Sequence, residues 1–132
     1  MAFELQKSAI LHKAFTGELT ERWRKEHGVG LDSWEYRKVG DFAEVRGGKR
    51  LPKGHSLITE KTAHPYLRIV DFGENSIDTS DLRYITDDTF DQISRYIIRK
   101  EDVYLSIVGS IGKAGVIPDE LDGANLTENA AL

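Results

Sequence analysis

Apolar residues are densest between Val103 and Val108, where Val103, Leu105 and Ile107 alternate with Tyr104, Ser106 and Val108. A two-residue period with many β-branched side chains predicts a strand. Gly109-Ser110-Ile111-Gly112 interrupts the run. Paired glycines allow backbone angles closed to other residues, so the chain is expected to reverse tightly here. A second strand over Lys113–Ile117 follows, ended by Pro118. Arg99-Lys100-Glu101-Asp102 reads as a charged turn before the first strand. The expected unit is a hairpin with its first strand in the core and its glycine tip exposed.

The N-terminal pattern differs. Leu5, Ala9, Ile10 and Ala14 recur at helical spacing from Phe3 to Phe15, extended by Leu11 and Phe15, with Gln6, Lys7, His12 and Lys13 between them. Gly17 is a natural stop. Thr20 is expected to cap a second helix, Glu21–His27, closed by Gly28. An amphipathic helix this short is marginal alone in water and needs a partner surface. Gly28-Val29-Gly30 divides a helical segment, 1–28, from a domain spanning 32–132. Trp34 to Lys38 is expected to be extended, with a short turn or strand through Val45. His64–Phe72 reads as a strand with Tyr66, Ile69 and Phe72 inward and Arg68 outward. Gly73-Glu74-Asn75-Ser76 reads as a turn, and Leu82, Tyr84 and Ile85 as another short strand. Thr86 with Asp87 and Asp88 marks a helix start, with Phe90 and Ile93 on its buried face. Helix-start acids account for Asp87, Asp88 and Asp91 without a metal. The last residues, Asn125–Leu132, turn apolar without a closing cap, which predicts a domain incomplete at its C-terminus. The elements together give an α+β class: an N-terminal amphipathic helix, then a mixed, largely antiparallel β domain with short helices.

Composition sharpens this in one place. The 132 residues suit one ordinary domain, without cysteine and without a run long enough for a membrane span. No signal-peptide order opens the chain, so a cytoplasmic setting is expected. Net charge is −4, from 18 basic and 22 acidic residues. Its distribution is uneven. Arg37 to Lys53 holds six basic and two acidic residues, while Lys61 onward holds seven basic and thirteen acidic. Arg46 to His55 contains three glycines and a proline, and so reads as a loop carrying Arg46, Lys49, Arg50 and Lys53 on a mobile backbone. Spacing alone leaves two readings of it: solvated surface, or cations able to meet phosphates or guanine edges.

Enzyme constellations do not emerge. His12, His27, His55 and His64 lack metal-ligand spacing, Ser110 is not in a nucleophile elbow, and no dinucleotide or Walker loop is present. The Asn-Pro-Pro-aromatic phrase of adenine methyltransferases is absent too.

Three phrases in order carry a resemblance. Leu5-Gln-Lys-Ser-Ala-Ile-Leu-His-Lys-Ala-Phe-Thr-Gly-Glu-Leu-Thr resembles the close of a spacer helix in the specificity subunits of type I restriction-modification enzymes. Trp34, Val39-Gly-Asp-Phe, Gly47-Gly-Lys-Arg-Leu-Pro-Lys-Gly and Tyr66-Leu-Arg-Ile-Val-Asp-Phe resemble the opening of a target recognition domain there. The hairpin phrase, followed by Asn125-Leu-Thr-Glu-Asn, resembles that domain's centre. The resemblance implies a non-catalytic chain that reads one half of a bipartite site in double-stranded DNA. It implies a methyltransferase subunit docked on the helix through Leu5, Ile10, Leu11 and Phe15, and a restriction subunit in the full complex. No cofactor is expected on this chain; S-adenosylmethionine, ATP and magnesium belong to the partner subunits. The implied DNA contacts are Arg46, Lys49, Arg50 and Lys53, then Ser110 and Lys113 at the hairpin tip; Asn125 and Asn129 are further candidates for base edges. A recognition domain of a fused restriction-methylation enzyme, or a protein-interaction module without DNA, are the alternatives.

Overall fold

The glycine reversal is present as the pattern predicts. In a computed structural model that describes residues 2–73 and 75–132, β3 (Val103–Ser106) and β4 (Ala114–Val116) pair antiparallel, Tyr104 opposite Gly115. Gly109 and Gly112 both take left-handed angles, φ 76° and 91°, which side chains with a Cβ rarely adopt. The Ser106 hydroxyl donates to the Ser110 carbonyl and accepts from the Lys113 amide, so the tip is pinned from inside.

Two structural units are distinct, one running to Lys38 and one from Val39 to Leu132. In the first, α1 (Ala2–Phe15) ends before Gly17 and α2 (Glu21–His27) before Gly28. Thr20 stands at the start of α2 but does not cap it; its hydroxyl donates to the Gly17 carbonyl instead. Arg24 reaches the same carbonyl at 2.6 Å. Trp34 to Lys38 forms no helix or strand.

The second unit holds two three-stranded sheets. One has the order β2 (Arg83–Tyr84), β1 (Pro65–Leu67), β5 (Asn125–Leu126); the other runs β4, β3, β6 (Ala130–Ala131). Among the strand pairs of the described residues β1 with β5 alone is parallel, so the first sheet is mixed and the second antiparallel. Strands β5 and β6 lie three residues apart, and this short stretch therefore belongs to both sheets. α3 (Asp87–Ile93) follows β2, and the Thr86 hydroxyl accepts from the Thr89 amide as an N-cap should. Leu67, Phe72, Ile98, Tyr104, Leu121 and Leu126 form the centre of the main core; Tyr66, Ile85 and Ile93 form a smaller one against Leu51 and Leu57.

Several expectations are corrected. The strand over His64–Phe72 shrinks to three residues, because a 3-10 turn at Ile69–Asp71 bends the chain. Arg68 does not point outward. It folds back on the buried Asp71 carboxylate, with Nη2 at 2.6 Å from Oδ1 and Nε at 3.1 Å from Oδ2. The turn after Phe72 closes through the Gly73 amide and the Ser76 carbonyl, with Asn75 at φ 64°; Glu74 lies outside the described residues. β3 places only one of its two faces in the core. Tyr104 and Ser106 are fully buried, whereas Val103, Leu105 and Ile107 are exposed. The Tyr104 hydroxyl explains the inward choice: it donates to the Ser76 carbonyl at 2.7 Å, which fixes the turn, while its ring packs on Phe72. The aliphatic face opens on a cleft of about 500 Å³ lined by Val39, Ala43, Val45, Val103, Leu105 and Leu132.

The Arg68–Asp71 pair gives a direct test. Removing the guanidinium leaves a carboxylate that is 3% exposed without its charged partner. Arg68→Ala is expected to lower unfolding free energy by about 2–3 kcal/mol. It would be read as a lower urea midpoint at unchanged slope.

Candidate nucleic-acid interface

Sequence alone made Arg46–His55 an irregular and mobile loop. Irregular it is, but its backbone is fastened. The Arg46 amide donates to the Leu132 carbonyl and the Arg46 carbonyl accepts from the Leu132 amide, both at 2.8 Å; the Gly48 amide donates to the Ala130 carbonyl at 3.2 Å and the Lys49 amide to the Leu126 carbonyl at 2.7 Å. The Tyr66 hydroxyl closes the far side by donating to the Lys49 carbonyl at 2.8 Å. Burial pushes that phenol above its ordinary pKa. Gly48 is required by space: a Cβ there would sit 2.2 Å from the Leu126 and Thr127 carbonyl oxygens. Gly48 thus lets the loop lie directly on the stretch that joins the two sheets.

On this backbone the four cations take different partners. Arg46 lies between Glu44 and Asp102, at 3.8 and 3.6 Å. Lys49 holds its ammonium 5.4 Å from the centre of the Tyr96 ring. Arg50 donates through Nε to Glu128 Oε1 at 2.6 Å. Lys53 is exposed and, among the described residues, has no hydrogen bond or ion pair. The carboxylate beside Arg50 raises the guanidinium pKa through its hydrogen bond and charge. Burial alone would raise the Glu128 carboxyl, but Arg50, its own backbone and Thr127 outweigh burial and hold it below the ordinary value. The pair is therefore charged at neutral pH. Its contribution is complete above about pH 4.5, the ordinary glutamate value, and is lost as pH falls through the lowered one.

The surface extends to residues the sequence did not single out. His55 Nδ1 lies 2.8 Å from the Thr89 hydroxyl and its Nε2 lies 3.1 Å from the Gln92 amide, which seats the loop along α3. Arg95, just past α3, is exposed and has no hydrogen bond or ion pair among the described residues. Only its position one residue before the Lys49-contacting Tyr96 ties it to the loop, and no local sequence pattern announces that contact. The hairpin-tip candidates are set apart by their own contacts. Ser110 is exposed with its carbonyl held by Ser106, and the Lys113 ammonium donates to the Phe72 carbonyl at 2.8 Å. Asn125 is fully buried, its amide donating to the Ile93 and Tyr96 carbonyls at 3.0 and 3.3 Å, so it fixes the end of α3 and reaches no base. Asn129 is half-buried, and its carbonyl accepts from the Ile107 amide.

In the helical unit, Leu5, Ile10, Leu11 and Phe15 are all exposed. Helical geometry places Phe3, Ile10, Leu11 and Phe15 within an arc of about 140°, and Leu5 outside it.

Comparison with known proteins then decides the family. The family described as "Type I restriction modification DNA specificity domain" matches residues 32–126. The chain belongs to that family. The match begins a few residues before the second unit and covers the loop, α3, both strands of the hairpin and β5. The specificity domain is also similar to the type I restriction enzyme EcoBI specificity subunit of Escherichia coli, with 25% identity across 88% of this chain. The chain covers 27% of that subunit's length. Among the described residues of the specificity domain and its helical unit, no helix is long and apolar enough to cross a membrane.

The seam beneath the cations is testable. Gly48→Ala must push the loop from the Leu126 and Thr127 carbonyls, an overpacking cost of about 1–3 kcal/mol. Hydrogen exchange of the Lys49 amide is expected to accelerate in that variant; unchanged protection would show that the loop is held some other way.

Proposed function

We propose that this specificity domain binds double-stranded DNA through the loop Arg46–Lys53 and the end of α3, and reads one half of a bipartite target. The observation that carries it is the set of cations on a backbone-fastened loop, in an otherwise acidic unit whose family is named for DNA specificity. Lys49 and Lys53 are suited to phosphates, since an ammonium is a point charge that needs no orientation. Arginines with free guanidinium nitrogens are suited to guanine edges. Ser110 and Lys113 stand second, because the lysine must first leave the Phe72 carbonyl.

The chain is a non-catalytic part of a type I restriction-modification complex in this reading. The methyltransferase subunit docks on α1 through Leu5, Ile10, Leu11 and Phe15, and the restriction subunit joins the full complex. S-adenosylmethionine, ATP and magnesium serve those subunits. Large apolar side chains that the helix leaves exposed on one arc support the docking role: Phe15 is 80% exposed and Ile10 57%, while Leu5 lies off that arc.

Retention on mixed-sequence duplex DNA at low and moderate salt tests the DNA reading. The wild type is expected to bind with steep salt dependence, and the Lys49→Ala, Arg50→Ala double variant to bind weakly. Each phosphate contact removed lowers the slope of log affinity against log salt by roughly one. A folded double variant that binds as the wild type does would remove the loop from the interface. Docking is separable: Phe15→Asp is expected to abolish co-elution with the methyltransferase subunit while leaving DNA retention intact. Loss of both together would mean that the helix serves something else.

A further inference from the structure

We propose that Arg50 reads a guanine edge in the major groove with its Nη1 and Nη2, and that Glu128 is the positioning residue that holds it in that pose. This rests on the DNA-binding reading above and names one of its specificity determinants.

The geometry separates Arg50 from the other cations. Glu128 takes only the Nε of Arg50, at 2.6 Å. Both Nη atoms are left without a protein partner among the described residues, on a side chain that is 79% exposed. A carboxylate that served only to neutralise an arginine gains most from a two-pronged arrangement on two guanidinium nitrogens, as Asp71 makes with Nε and Nη2 of Arg68. A carboxylate at Nε alone does the opposite: it fixes the guanidinium plane and turns the remaining donors outward. Those donors match the O6 and N7 acceptors of guanine, the pairing that gives arginine its base discrimination. Arg46 is poorly suited to that role, since its Nε and Nη2 both face carboxylates.

The fixing is referenced to the sheet. Glu128 Oε2 accepts from the Thr127 hydroxyl at 3.1 Å, and the Thr127 amide donates to the Leu67 carbonyl of β1 at 3.0 Å. The Arg50 backbone follows Lys49, whose amide is bonded to Leu126 of β5. Both ends of the Arg50–Glu128 pair are thus tied to adjacent residues of one strand end. A long side chain that is already ordered loses less entropy on binding, so its contact contributes more. A carboxylate on a DNA-facing surface repels phosphates. Its presence beside a solvent-facing arginine is accounted for if it positions that arginine.

The test is selection from a duplex pool with a randomised core by the 132-residue chain, the Glu128→Gln and Arg50→Lys variants, and Arg50→Ala. Folding is checked by circular dichroism. The wild type is expected to enrich a fixed guanine. Glu128→Gln and Arg50→Lys are each expected to reduce that preference roughly five- to hundredfold, the span one bidentate contact gives. Preferences elsewhere in the core and the salt slope of Glu128→Gln should stay as in the wild type. If Glu128→Gln keeps the guanine and instead binds all duplexes tighter with a steeper salt slope, Glu128 is a mask and the proposal falls. It falls too if Arg50→Ala alters no position. Salt-dependent retention by the wild type without any base preference would overturn this inference and leave DNA binding standing. No retention at all would overturn both.

Discussion

Close approach at Gly48 is the constraint on which the specificity domain's structure depends. The stretch from Asn125 to Ala131 enters one sheet as β5 and the other as β6, with no room between them for an independent loop. Its Leu126 and Thr127 carbonyls point at the Gly48 backbone, where any side chain would collide. Because they do, the Arg46–Lys53 loop lies on the junction of the two sheets. The Leu126, Ala130 and Leu132 carbonyls are all used as acceptors by that loop. A buried junction of this kind would otherwise leave backbone groups unpaired, at a cost comparable to that of losing the bonds themselves. The loop's order and the sheets' connection are therefore one structural fact, and the cations inherit it.

This explains why some of the molecule was legible in the sequence and some was not. Short-range chemistry carried the elements that were read correctly. The glycine pair Gly109 and Gly112, the Thr86 cap and the Gly17 and Gly28 stops each act within a few residues. Misplaced features depend on partners far along the chain. The alternation across Val103–Val108 does not say which face of the strand is inward, and Tyr104 decides it. Its hydroxyl is drawn to carbonyls at Gly73 and Ser76, some thirty residues earlier, and the strand turns its polar-edged face inward. Arg68 looked exposed for want of knowledge that Asp71 would be buried beside it. Asn125 reads as a turn residue by type, but β5 pairs parallel with β1 and carries it under α3. In the candidate site, composition located the cations and could not order them. Rank depends on Glu44, Asp102, Glu128 and Tyr96, none of which is near the loop in sequence except Glu44.

The same long-range placement reconciles net acidity with the proposed DNA-binding role. Acidic residues do not oppose the basic loop uniformly. Arg46 is offset by two of them, Arg50 is met by one from the side, and Lys49 and Lys53 by none among the described residues. A uniformly basic surface attracts any duplex through counterion release, which is strong and carries no sequence information. An acidic chain with a few exposed cations keeps that general attraction small. The share of affinity that depends on oriented contacts rises accordingly, and orientation is what the fastened backbone supplies. In the proposed role, low net attraction and a backbone-fastened loop would act in the same direction, toward discrimination between sequences over retention of all of them.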